Sequence, residues 1–348
     1  MNESAERARN IIENYNGKKI RIMEVCGTHT HEIFRQGIRK LLHHNIQLIS
    51  GPGCPVCVTP VSFIDEAVWL SENKHATICT FGDLMRVPGT EKSMLDVRRD
   101  GGKVQIVYTP LDAEKYAEEN PSEKVVFLSV GFETTTPASC LAVRNAAKAG
   151  LDNFSILTAN KTMDHAYPLL ADSTDAYLYP GHVQAIMGTA ICKRLLKSGI
   201  SGVVAGFTAA ELLTAIATCV TLLQDDKPFF CNCYPRVVTD DGSPAARVLM
   251  QKYMEPIDAE WRGIGMIPGS GLKLRNEFSQ FDARLMFDIP IMHGHSNPAC
   301  RCGEILRGSV LSSECPLFGK VCTPEHPIGA CMVSREGTCS AYYQYGRN

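Results

Sequence analysis

The chemistry-bearing residues of this chain are its thiols. Cys54-Pro55-Val56-Cys57 lies in the run Ser50-Gly51-Pro52-Gly53-Cys54-Pro55-Val56-Cys57-Val58-Thr59-Pro60. A C-x-x-C pair serves either as part of a soft-metal site or as a redox dithiol. The glycines admit backbone conformations closed to other residues, and the prolines stiffen the loop. Thr59-Pro60 reads as a helix start, and the positive end of a helix would favour thiolate at the adjacent cysteines. A third thiol, Cys26, opens Cys26-Gly27-Thr28-His29-Thr30-His31. Three thiols with two imidazoles match a site for iron, zinc or copper(I). Metal binding is preferred over a redox dithiol because Cys26 supplies a third ligand. His29 and His31 act either on the metal or around it, or are simply a hydrogen-bonded helix start.

The chain holds 15 cysteines in 348 residues. Their odd number and uneven clustering argue against a secreted disulfide framework. Cys79, Cys140, Cys192 and Cys219 fall in apolar runs and read as small core residues, and Cys231 and Cys233 as ordinary strand cysteines. Lys and Arg (35) nearly balance Asp and Glu (37), which points to neither nucleic acid nor an anionic membrane. The charged start, residues 1–7, lacks the apolar core of a signal peptide, so a soluble, cytoplasmic protein is expected.

The elements that must position these residues alternate. Apolar runs at 18–26, 47–50, 75–80 and 104–109 predict four strands separated by helices, and 125–130, 155–159, 176–179 and 202–207 predict four more. Helices are expected at 60–72, 91–99, 111–119, 138–149, 164–171 and 183–197, with Gly150 and Gly199 as stops and Thr208-x-x-Glu211 as a capping box. The expected fold is α/β: two tandem four-stranded parallel domains, 1–121 and 122–226, followed by a Cys-rich C-terminal domain, 227–348. Ligands bind beyond the carboxyl ends of parallel strands. That rule gathers Cys26, Cys54 and Cys57 with Gly131-Phe132-Glu133-Thr134-Thr135-Thr136-Pro137, Asn160-Lys161 and Pro180-Gly181-His182. If the two ends face each other, thiols, imidazoles, Glu133, Thr134, Thr135 and Lys161 line one cleft. Lys161 reads equally as a solvated loop residue. The Gly131 loop lacks the Gly-Lys-Ser/Thr of a P-loop, so a nucleotide reading is weak.

The tail carries Cys300, Cys302, Cys315, Cys322, Cys331 and Cys339 with little apolar periodicity, and a metal centre could supply the stability that a core does not. Four thiolates would hold an iron–sulfur cluster or a structural zinc. The spacing matches neither a ferredoxin run nor paired knuckles, and it leaves two thiols over for disulfide exchange.

Met23-Glu24-Val25-Cys26-Gly27-Thr28-His29-Thr30-His31, the Gly51–Pro60 run, Gly131-Phe132-Glu133-Thr134-Thr135, Pro180-Gly181-His182-Val183 and the tail from Cys300-Arg301-Cys302-Gly303 to Cys339 together resemble the HypD family of [NiFe]-hydrogenase maturation factors. The resemblance covers the chain from about residue 18. It implies a scaffold, rather than a stand-alone enzyme, that works with a small HypC-type chaperone to assemble the Fe(CN)2CO unit of the hydrogenase. Cyanide would arrive from a HypE-type partner, itself served by a HypF-type protein, and the hydrogenase large subunit would be reached indirectly. On this resemblance Cys26 is the main ligand of the transient mononuclear iron, with Cys54 and Cys57 as its partner thiols. Cys300, Cys315, Cys322 and Cys339 hold a [4Fe-4S] cluster, and Cys302 with Cys331 forms a redox pair. Thr134, Thr135, His29 and His182 are the expected hydrogen-bond donors to cyanide nitrogen. The alternatives are a cluster-dependent dithiol–disulfide reductase using Cys54 and Cys57, and a zinc-stabilised binding protein.

Overall fold

The computed structural model describes residues 3–346. Its strands are β1 (Ile20–Glu24), β2 (Ile46–Ser50), β3 (Thr77–Thr80), β4 (Val104–Ile106), β5 (Val125–Ser129), β6 (Phe154–Thr158), β7 (Ala176–Pro180), β8 (Gly202–Ala205), β9 (Phe230–Asn232), β10 (Met254–Trp261) and β11 (Gly265–Leu274). All eight strands expected from apolar runs are present. Most are buried along their whole length, as strands covered by helices on both faces must be.

The architecture is the expected pair of parallel α/β units with a Cys-rich region, but the strands are dealt between the units differently from their order along the chain. The first sheet runs β2-β1-β7-β8-β9 and the second β4-β3-β5-β6, all neighbours parallel. The chain lays down two strands, crosses to build the whole second sheet, and returns to finish the first. A boundary at 121/122 therefore falls between the paired strands β3 and β5. Local pattern cannot reveal this, because both halves of the first sheet have the same apolar signature.

Helix ends follow the sequence signals closely. Ser93, Thr109 and Thr208 form capping boxes with Asp96, Asp112 and Glu211, and Gly150 closes the Thr136–Ala149 helix at φ 67°. Two expectations fail. The single helix over 183–197 is two, Gly181–Met187 and Ala190–Lys197, broken at Gly188 (φ 75°) where a side chain would also strike the Asp240 carbonyl. Thr59 does not cap the next helix, Val61–Lys74; its hydroxyl donates to Pro55 O at 2.9 Å, and that helix starts uncapped at Pro60.

Where Gly and Pro are dense, the chain forms the antiparallel hairpin β10–β11, with a register slip between Ile257 and Ala259. It is fastened to the second sheet's end through Leu272 N to Asn160 O (3.0 Å) and Thr162 N to Ser270 O (2.8 Å). One core cluster runs from Met23 and Cys57 through Leu128 and Trp261 to Cys331 and Cys339, so both units and the tail share an interior. Cys79, Cys140, Cys192 and Cys219 are buried in the core, as expected. Among the described residues no helix is long and apolar enough to cross a membrane.

Candidate metal centre

The first sheet reverses its strand order between β1 and β7, and at that switch point open parallel sheets bind ligands. Cys26 follows β1 and opens the Gly27–Arg35 helix; His182 follows β7. Below them, Glu24 at the end of β1 is fully buried and pairs with Arg39, while Ser50 at the end of β2 donates to it at 2.5 Å. This clasp fixes the ends of β1 and β2 beside each other, so the loops that follow must also meet. They do: a side chain at Gly53 would lie 2.1 Å from Cys26 N, so only glycine lets the Cys54 loop lie against the Cys26 backbone.

Cys26 is 7% exposed. Its sulfur faces the first turn of its helix and receives hydrogen bonds from the His29 and Thr28 backbones, but burial outweighs them and, with Glu336 nearby, holds the thiol up at about 12. Cys57 also ends well above the ordinary thiol range: the hydrogen bond from Cys331 lowers it, while that to Cys54 and burial raise it. At Cys26 and Cys57 the thiolate expected from a helix N-terminus is thus not favoured: burial at the first, and neighbouring thiols with burial at the second, outweigh the helix end.

His29 is buried, with its ring 4.8 Å from Phe207. Its Nε2 lies 3.3 Å from Ala205 O. A carbonyl only accepts, so Nε2 carries the proton and the buried Nδ1 keeps an unpartnered lone pair. Burial holds the ring neutral, at about 4. His29 is therefore an acceptor or ligand at this site and not the expected donor. His182 stacks on the same Phe207, centroids 3.8 Å apart, and its ring nitrogens have no hydrogen-bond partner among the described residues. His31 points away: Nδ1 donates to Arg335 O at 3.2 Å and the ring meets Tyr345 edge-on. It fastens the tail.

The tail closes over this end of the sheet. Glu336 accepts from the Thr28 hydroxyl at 2.6 Å and fills the space that Gly27 leaves by having no side chain. From here the thiols run on in contact. Cys57 is within hydrogen-bond reach of Cys54 and Cys331, Cys331 of Cys302, and Cys302 of Cys339. Cys300 and Cys302 sulfurs are 3.2 Å apart. Gly329 cradles them, since a side chain there would lie 2.6 Å from both. Cys322 accepts from Ile328 N at 3.4 Å. Cys315 begins the turn that carries Cys322, with Phe318 N on its carbonyl at 3.0 Å.

Arg262 completes the enclosure. Its backbone N donates to Val58 O (2.9 Å), one guanidinium nitrogen donates to Pro88 O (2.6 Å), and Nη1 is buried without a partner. Gly263 beside it presses against Gly303. The charges facing this guanidinium are Cys302, Cys300 and Cys331, with Asp65 a lesser one.

Residues 2–346 match the model of the family described as "HypD: Hydrogenase formation hypA family". The chain belongs to the HypD family. It is 41% identical over 343 residues to the hydrogenase maturation factor HypD2 of Bradyrhizobium diazoefficiens, covering 95% of this chain and 90% of that protein. It is 40% identical over 342 residues to the hydrogenase maturation factor HypD of Azotobacter vinelandii, with the same coverage. To the Escherichia coli factor of that name it is 40% identical over 334 residues, covering 94% and 90% of the two chains.

The site residues expected from the HypD resemblance divide into two groups. Cys26, Cys54, Cys57, His29 and His182 share the first sheet's end. Glu133, Thr134 and Thr135 belong to the second. Glu133 Oε1 accepts from Met163 N (2.9 Å), Oε2 is buried without a partner, and burial raises the carboxyl to about 7. Thr134 is exposed, and the Thr135 hydroxyl donates to its own loop at Phe132 O (3.3 Å). These hydrogen bonds stay at the second sheet's end, as the exchange of strands dictates. Lys161 is likewise at that end, and buried rather than solvated. Cys231 sits on the edge strand β9 and Cys233 just beyond its end, with sulfurs 3.8 Å apart.

Among the described residues, no group of three or more Cys, His, Asp or Glu already stands in ligand geometry. The tail nevertheless fits a thiolate-held iron–sulfur cluster by its donor chemistry: contiguous thiols, an N–H aimed at sulfur, a glycine cradle and a buried cation lacking a carboxylate within reach. Cys302 touches Cys300, Cys331 and Cys339 together, so any division between ligands and redox pair runs through this residue. Glu336, Phe207 and Arg262 were not legible as site residues in the sequence. Glu336 lies between the motif cysteines Cys331 and Cys339, and Arg262 at the tip of the undetected hairpin.

Proposed function

We propose that this chain is the scaffold on which the Fe(CN)2CO unit of [NiFe]-hydrogenase is assembled, together with a small HypC-type chaperone and a HypE-type cyanide donor. One observation supports this most: Cys26 stands at the first sheet's switch point beside two neutral-leaning imidazoles, and the loop packed on its backbone carries Cys54 and Cys57, from which thiols lead to the tail. The names of its relatives, hydrogenase maturation factors, agree.

The substrate iron is bound by the Cys26 sulfur, whose proton the cation displaces. The amides of the helix start then steady the thiolate. His182 supplies the free N–H for a cyanide nitrogen, His29 Nδ1 supplies an acceptor or ligand, and both rings pack on Phe207. Cyanide delivered as a thiocyanate leaves sulfur only by reduction: RS–CN and two thiols give RSH, HCN and a disulfide. Cys54, Cys57, Cys331 and Cys302 are the thiols in line to supply that pair of electrons. A [4Fe-4S] cluster in the tail would supply one-electron equivalents to restore the dithiol. Arg262 holds a positive charge against the tail thiolates, and the Gly329 cradle keeps the Cys300 and Cys302 sulfurs adjacent.

Anaerobic purification with the small chaperone should give infrared nitrile and carbonyl stretches that vanish in Cys26→Ala; unchanged bands would sink the assignment. The thiol chain also favours a second reading, a cluster-dependent dithiol–disulfide reductase. That reading requires reduction of a protein disulfide by preparations that hold no mononuclear iron.

A further inference from the structure

Lys161 lies outside the thiol chemistry. It follows β6, its backbone N donates to Gly131 O (2.9 Å), and it bridges to Gly271 of the hairpin. Its side chain is 3% exposed, yet among the described residues no carboxylate or carbonyl receives the amine. The amine lies 5.9 Å from the centroid of the Trp261 ring. Lys161 lines a cavity of about 380 Å³ between the end of β6, the hairpin and the Ala283–Phe287 helix. Pro60, Ser62 and Phe63 line the same cavity. They form the start of the 14-residue helix Val61–Lys74, which has no side-chain cap.

Of the other charges at this cavity, the basic ones are paired, while Asp258, Glu260 and Asp282 keep theirs. Arg284 is held by Glu66 (2.7 and 3.0 Å) and Thr158 O (3.0 Å). Lys273 pairs with Glu255 (3.1 Å), Asp258 accepts from Gly269 N (2.9 Å), and Asp282 accepts from Arg284 N (2.9 Å). Glu260 is exposed. A buried ammonium without a partner is costly; burial lowers the Lys161 amine to about 7, with Glu260 opposing and Arg284 assisting. An uncapped helix start has amides without intrahelical acceptors and a positive end. Both features call for the same missing partner, a negative charge.

We propose that this cavity binds a small anion, a molecule bearing a carboxylate or phosphate group, between the Lys161 ammonium and the start of the Val61–Lys74 helix. The two cationic features converge on it from different elements, as at other anion sites on helix N-termini. The site is separate from the thiol run and does not depend on iron. Because the ammonium is the binding form, anion entry takes up a proton above neutral pH, and affinity falls as pH rises.

The test is calorimetric titration of the full chain with inorganic phosphate and, separately, malonate. Saturable one-to-one binding of either is expected, weakened roughly tenfold to a hundredfold in both Lys161→Met and Lys161→Gln, as for loss of a charged hydrogen bond. Lys161→Arg should retain part of it. Binding of phosphate alone identifies a phosphate-bearing ligand, and of malonate alone a carboxylate-bearing one. For malonate, affinity should drop toward about tenfold per pH unit above the free amine's value. Neutral side chains relieve an uncompensated buried charge, so the variants are expected to fold with an unchanged or higher Tm; if Lys161→Met does not fold, Lys161→Gln decides. Failure of the wild type to saturate with either anion overturns the proposal, as does binding that neither neutral variant weakens.

Discussion

The carboxyl ends of the two sheets are built to the same plan and furnished oppositely. At the first, the covering element is the tail, the buried groups are thiols and the neutral His29 imidazole, and the contacts lead from one sulfur to the next. At the second, the covering element is the β10–β11 hairpin, and the buried groups are the carboxyl of Glu133 and the amine of Lys161. The hairpin tip separates them: Trp261 packs on Phe132 of the second end, centroids 5.6 Å apart, and Arg262 donates to Val58 beside the first. A parallel sheet thus provides the place, while the segment folded over it determines whether the groups enclosed there are thiols or a carboxyl and an amine.

The sharpest way to break this contrast is Gly53→Ala. Its side chain would overlap Cys26 N, with nothing flexible to yield. We expect the first end to come apart at a cost of about 3 kcal/mol, the upper range for overpacking, seen in denaturant unfolding together with loss of co-purified iron. Next is Arg262→Met. In iron-loaded protein it leaves thiolate charge uncompensated and should cost on the order of 3 kcal/mol with loss of iron; in metal-free protein the same change should be neutral or stabilising. Equal effects in both forms would show that Arg262 does not serve the thiolates.

Glu133→Gln tests the second end alone. The native carboxyl, raised to about 7, holds its proton more tightly than in the unfolded chain. Its contribution is therefore complete below about pH 4.5 and is lost as pH rises through about 7. The wild type should lose about 3 kcal/mol relative to the variant between pH 5 and 8 in urea unfolding, with iron content unchanged. The smallest effect belongs to His31→Ala, which removes one hydrogen bond to the tail, worth about 1 kcal/mol, and should leave the infrared bands in place.

The sequence made the strands and most helix ends legible because their signals are local: apolar runs, Gly150 at a stop, Thr208 three residues before Glu211. It also made Cys26, Cys54 and Cys57 legible, since each follows a strand. Which strands share a sheet was not legible, because pairing β1 with β7 spans the whole second unit. Hence Glu133 and Lys161 were gathered into a cleft that belongs to the first sheet. The hairpin escaped notice because Pro256, Pro268 and the four glycines Gly263, Gly265, Gly269 and Gly271 obscure a strand pattern, and its outer residues are exposed. The meeting of Cys57 with Cys331 is equally non-local.

The interrupted first sheet also has a consequence during synthesis. β3 to β6 leave the ribosome as one block and can pair at once, whereas β1 and β2 wait for β7, β8 and β9. Until residue 232 has emerged, Cys26 and the Cys54 loop stand on a half-built sheet with an open edge. Domains generally form in the order they are made; here the segment made first is completed late. The thiol-bearing end of the molecule is therefore the last to close, and it closes only when the tail that covers it has nearly arrived.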